Sequence, residues 1–243
     1  MAIKMELGFD DELKRSIVKG ISDGLINFLT KKKILAEELK VSSAFVWMKS
    51  NYVDSSVADN VPKNISYNIE QVGSWKYISF EINRGKETYK FIIKPSMVLE
   101  SLEDPNYYLT SYAEINKDLV ESDEFKKKFS ISEQIPLSKQ LVIDNLIVPK
   151  SIVSDNNETR LYIISYDFNY EKGIKDIDIF IPYDGNAYLV DSLTDMVSEL
   201  EVAIPENLLK SAVEPEVPYE EKEKVDQSMF GKLKIVRSND DKR

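Results

Sequence analysis

The chain holds 243 residues, 42% of them hydrophobic and 30% charged, enough to bury a sizeable core without disulfides or metals. It has no histidine and no cysteine, which excludes triads built on His, zinc sites on Cys or His, haem ligation by either, and iron–sulfur clusters on Cys. That leaves carboxylate, Lys, Tyr and Ser/Thr chemistry, or none, and the formal charge of −10 disfavours non-specific attraction to DNA or anionic membranes.

The first element reads as a helix. Asp10 or Asp11 can cap it, with Glu12 in the first turn. Leu13, Ile17, Ile21, Leu25 and Leu29 recur every four residues, widened by Val18 and Phe28, and Lys31, Lys32 and Lys33 sit near the far end. Gly20 and Gly24 lie on one side of it and point to a second backbone packed closely there, in a dimer seam or in a helix crossing within the domain. Residues 34–53 read as helical with one break. Ala36, Leu39, Val41 and Val46 are similar to the helix-turn-helix pattern of small repressors. Lys40 and Lys49 depart from that pattern, and Ser42, Ser43, Ala44 and Trp47 offer no Arg, Asn or Gln to base edges.

Residues 54–64 read as a polar loop with Pro62, and 65–70 as a strand. Trp75 to Ile82 alternates, Asn83 to Lys86 turns, and Glu87 to Lys94 returns before Pro95, which together predict a β-hairpin. In 96–130, Asp104-Pro105-Asn106 is a turn and Leu119 to Phe129 a short charged helix. Strands follow at Leu141 to Val148, Leu161 to Phe168 and Ile174 to Ile181, with a turn at Asn169 to Gly173 between the last two. Pro182, Asp184, Gly185 and Asn186 make another turn, and Tyr188 to Val190 a short strand. Ser192 can cap a helix to Glu201 with Asp195 completing a capping-box pair, and Pro205 opens a further turn through Leu208, Leu209 and Ala212. From Val213 the chain is acidic and Pro-bearing. Within it Met229 to Arg237 is apolar and basic, able to dock on a partner or to fold back onto its own domain.

The reading is an α+β fold, with N-terminal helices packed on a mainly antiparallel sheet of two β-hairpins plus extra strands. It forms a single domain over residues 8–210, followed by a flexible charged tail over 211–243. The likeness of Trp75-Lys-Tyr-Ile-Ser-Phe-Glu to Leu161-Tyr-Ile-Ile-Ser-Tyr-Asp is what two amphipathic hairpins reach by chance.

No Gly-rich phosphate loop occurs, and no Ser-x-x-Lys stands in a fitting context. A metal-dependent nuclease needs carboxylates and Glu-x-Lys on a buried strand, but Glu38-x-Lys40 and Glu124-x-Lys126 fall on predicted helices. Asp176 and Asp178 share one strand face opposite Ile177 and Ile179, as a solvated face would. The candidate binding surface is the first hairpin, where Trp75, Lys76, Arg84, Lys86, Lys90 and Lys94 gather in an otherwise acidic chain. Such a set can hold phosphate, single-stranded nucleic acid or an acidic protein, or can merely keep an exposed hairpin soluble.

The strings D-E-L-K-R-S-I-V-K-G-I-S-D-G-L, W-M-K-S-N-Y-V and S-W-K-Y-I-S-F-E-I resemble an uncharacterised domain family of bacteria and their mobile elements, over residues 10–100 and more loosely 140–200. The resemblance implies no activity and no catalytic residue, and leans towards a prophage or defence role. The expectation is a non-catalytic cytoplasmic protein without cofactor or metal that binds or inhibits another protein. The alternative is a nucleic-acid-acting protein, either a helix-turn-helix binder or a carboxylate nuclease.

Overall fold

Asp10 opens the first helix as its side chain predicts: Oδ1 accepts the Leu13 N–H at 2.9 Å, and α1 then runs over Asp11–Glu38. The computed structural model describes residues 8–38, 45, 48–72, 75–95, 114–129, 158–184, 186–212 and 234–236. Helix α2 is Lys49–Asn60, so most of the span expected as a polar loop is helical. Its polar residues conceal a short stripe, Tyr52, Val53 and Val57, that packs against α1. Gly20 faces the Val57 backbone and Gly24 the Val53 backbone, so the two helices run antiparallel and nearly touch. The close approach expected at the two glycines is the crossing within the domain. Of the helix-turn-helix positions, Leu39, Lys40, Val41, Ser42, Ser43, Ala44, Val46 and Trp47 lie outside the described residues.

The fold is α+β. Seven strands lie in strict chain order: β1 (Ser66–Val72), β2 (Trp75–Arg84), β3 (Glu87–Pro95), β4 (Glu158–Asn169), β5 (Gly173–Tyr183), β6 (Asn186–Ser192) and β7 (Lys234–Val236). Two antiparallel meanders, β1–β2–β3 and β4–β5–β6, join through a parallel β3–β4 ladder, and β7 adds in parallel to β6. Residues 234–236, within the segment read as tail, thus pair with β6. In the first hairpin a two-residue turn, Gly85-Lys86, joins Arg84 to Glu87, and Gly85 supplies its φ of +65°.

Alternation sets the core. Phe80, Phe91, Tyr162, Tyr166, Ile179 and Ile181 point to the helices and join Ile17, Ile21, Leu25 and Phe28 in the main cluster. Ile92, Ile163, Phe180, Ala187 and Leu189 form a second cluster on the other face. A sheet buried on both faces reads as continuous apolar runs, which is why Tyr162-Ile-Ile and Ile179-Phe-Ile break the polar alternation of an exposed strand.

The charged segment after residue 113 holds a 3-10 turn at Glu114–Asn116, then α3 (Lys117–Val120) and α4 (Asp123–Phe129), two short helices where one was expected. Ser122 separates them, its Oγ accepting the Phe125 N–H at 3.3 Å. Pro182 belongs to β5, not to a turn. The β4–β5 pairing stops at Ile163 and Phe180, and the Asn116 amide bridges the strands beyond it. Asn116 Nδ2 donates to the carbonyls of Leu161 and Pro182, and its Oδ1 accepts the Leu161 N–H, each at 2.9 Å. A proline has no N–H to give the ladder, and the buried amide gives one in its place. Near the C-terminal end, α5 spans Thr194–Glu199 with Leu193 at its cap, so the expected Ser192–Asp195 capping box does not form. Pro205 precedes α6 (Glu206–Ala212), its carbonyl accepting the N–H of Leu208 and of Leu209. The expected turn at 104–106 and strand at 141–148 lie outside the described residues. No helix among the described residues is long and apolar enough to cross a membrane.

Candidate functional site

The hairpin disperses the six residues singled out in it. Lys90 stands opposite Glu81 in the β2–β3 ladder and pairs with it, Nζ to Oε2 3.6 Å. Arg84 Nη2 donates to Asp10 Oδ2 at 2.7 Å, tying the hairpin to the cap of α1. Lys94 lies half-buried with its Nζ 4.8 Å from the Tyr77 ring centre. Lys86 is exposed at the turn and Lys76 at the far end of the hairpin, roughly 25–30 Å away along the strand. Trp75 begins β2, and its side chain lies outside the described residues. The five whose side chains are described do not converge on one surface.

Lys94 leads instead to a site that the sequence did not advertise. The sheet forks there: the β2–β3 ladder ends at Ser79 and Ile92, while β3 stays paired with β4 as far as Pro95 and Tyr166. Tyr77 and Lys94 face each other across the gap where that ladder would have continued. Asp54 fills the fork from α2. Its Oδ2 accepts the Ile78 N–H at 3.4 Å, one residue past the end of the ladder. The Tyr166 hydroxyl lies buried beside the Ser50 side chain.

This environment shifts the charges. Burial lifts Asp54 from its usual range to about 6, opposed by the Lys94 charge and the Ile78 N–H. Burial pushes Lys94 down, and the Asp54 charge opposes that. Burial also raises Tyr166. The arrangement can take up and release a proton on Asp54, a carboxyl only 6% exposed. Folded Asp54 holds its proton to a higher pH than the unfolded value of 3.8. Its contribution is therefore greatest below the unfolded value and is lost as the pH rises towards 6, by roughly 3 kcal/mol for a shift of about two units. Asp54→Asn should remove that slope. Urea unfolding at intervals from pH 4 to 7 should find the variant gaining on the parent by a few kcal/mol across the range. A constant difference would contradict the assignment. An Asp beside the Val53/Val57 stripe is the one sequence sign that a carboxylate enters the core here.

The third feature is the edge formed by β1. Its outer side has no strand partner among the described residues, and its seven residues pair with β2 without a bulge. It carries one charge, Glu70, and no proline. Tyr67 is 50% exposed and Ile69 is 68% exposed, both on the helix-side face beside Phe80 and Ile78. Edges are commonly blunted with Lys, Pro or bulges, and β1 has none of these. Among the described residues no group of three or more His, Cys, Asp or Glu is placed to hold a metal. Comparisons with protein-family models, curated proteins and solved structures give no match.

Proposed function

We propose that the protein is a non-catalytic interaction module that docks an extended segment of another polypeptide chain along the outer edge of β1. The observation that carries this reading is a regular, almost uncharged edge strand with Tyr67 and Ile69 exposed two residues apart. An added strand gains main-chain hydrogen bonds from such an edge, and side chains at alternate positions give selectivity. Nucleic acid would need cations on one surface, and the hairpin residues do not share one. The absence of cysteine fits a cytoplasmic setting, and the resemblance of residues 10–100 leans towards a phage- or defence-related role.

The test compares tagged parent protein with the Tyr67→Lys, Ile69→Lys double variant in nuclease-treated bacterial lysate. Both side chains are exposed, so the variant keeps its fold. A protein retained by the parent should drop by at least about tenfold on the variant, since like charges and lost apolar pairs both act at the added strand. Identical proteins on both baits would overturn the reading. So would nucleic acid as the sole ligand, recovered from untreated lysate.

A further inference from the structure

We infer that the strand seated on β1 is β1 of a second copy, paired antiparallel about a two-fold axis at Asn68. The inference rests on β1 being the docking edge and names its occupant. With Asn68 facing its own copy, Tyr67 falls opposite Ile69 of the second copy, and Ile69 opposite Tyr67. Two aromatic–β-branched pairs therefore form on the helix-side face, a favoured cross-strand combination. Each chain carries a net charge of −10, so two copies can meet only along a seam with no like charges opposed. β1 provides one: its only charged residue, Glu70, falls opposite Ser66. Moving the axis to Ile69 sets Tyr67 opposite Gln71, and moving it to Tyr67 sets Ser66 opposite Asn68. Either shift breaks both Tyr–Ile pairs. The contact is isologous, as closed homodimers require, and its two helix layers lie on the same side of one continuous sheet.

The cysteine-free chain gives a clean test, because Asn68→Cys then carries the only thiol. Residues directly opposite in an antiparallel pair have Cα atoms about 4.5–5.5 Å apart, within the roughly 4.4–6.8 Å a disulfide accepts. Under mild oxidation Asn68→Cys should become a covalent dimer at concentrations where Lys86→Cys, in the exposed hairpin turn, stays monomeric. Adding Ile69→Lys should suppress the dimer at least about fivefold. Sedimentation equilibrium of the parent should show a monomer–dimer equilibrium that Ile69→Lys abolishes. A parent that is monomeric throughout, with Asn68→Cys cross-linking no faster than Lys86→Cys, would overturn self-pairing. If the Lys double variant still loses a lysate protein, β1 docks a different chain and self-pairing alone falls. If it does not, the docking reading falls as well.

Discussion

Replacing Asn116 with alanine is expected to cost about 4 kcal/mol. Asn116 is fully buried and makes three hydrogen bonds at 2.9 Å, two to the backbone of Leu161 and one to the Pro182 carbonyl. Alanine leaves one N–H and two carbonyls facing a gap between β4 and β5, and each orphaned group costs roughly 1–3 kcal/mol. Asn116→Asp should fare no better near neutral pH. A carboxylate can accept the Leu161 N–H but can donate to neither carbonyl, and it buries a charge. Pro182→Ala returns an N–H to β5, so it should recover part of the loss in the Asn116→Ala background. Urea denaturation of the three variants reads this directly. If Asn116→Ala cost under about 1 kcal/mol, the bridging role would be wrong.

Gly24→Ala should destabilise by roughly 2–4 kcal/mol, although alanine is the better helix former. A Cβ at this position would lie 2.5 Å from the Val53 Cα and 2.8 Å from the Tyr52 carbonyl oxygen. Those are backbone atoms of α2, so no side-chain rotation relieves the overlap and the helices must part. Overpacking of this kind typically costs about 1–3 kcal/mol, and more against backbone, which outweighs the gain of about 1 kcal/mol in helix propensity. Gly20→Ala meets the Val57 Cα at 2.6 Å and should behave alike. Thermal and urea unfolding should place both variants below the parent. A midpoint raised by either substitution would show that the helices slide apart freely.

These two positions also show where the sequence speaks and where it is silent. The glycine pair is legible because its spacing matches one helix turn, and nothing but a close neighbour explains two glycines inside a well-patterned helix. The first hairpin is legible for a similar reason, since strict alternation meets a turn that Gly85 can make. Asn116 carries no such sign. Its role depends on Pro182, 66 residues further on, which reads locally as a strand stop and becomes a strand residue only when an amide replaces its missing N–H. α2 was half hidden because Asp54, Ser55, Ser56 and Asp59 make its composition loop-like, and only the packing of Val53 and Val57 against glycine reveals the helix. The fork at Asp54 was invisible, because the end of one ladder relative to another is a property of three strands together. The cation cluster around the first hairpin was legible as composition, yet alternation and ion pairing decide where each cation goes. The bareness of β1 is written in its residues, but its place at the sheet edge is not.

The long first helix has a consequence for how the chain is made. Lys14 Nζ holds Asp191 at 2.6 Å and Ser22 Oγ donates to the Val202 carbonyl, contacts that close intervals of 177 and 180 residues. α1 is synthesised before the other described elements and can settle against α2 and the first meander early, since those neighbours follow directly. The flank of α1 that meets the last helices has nothing to rest on until almost the whole domain has left the ribosome. At about 5–20 residues per second that wait is roughly 10–40 s. During that time α1 is a finished helix with an uncovered side, and a nascent-chain chaperone would find its handhold there.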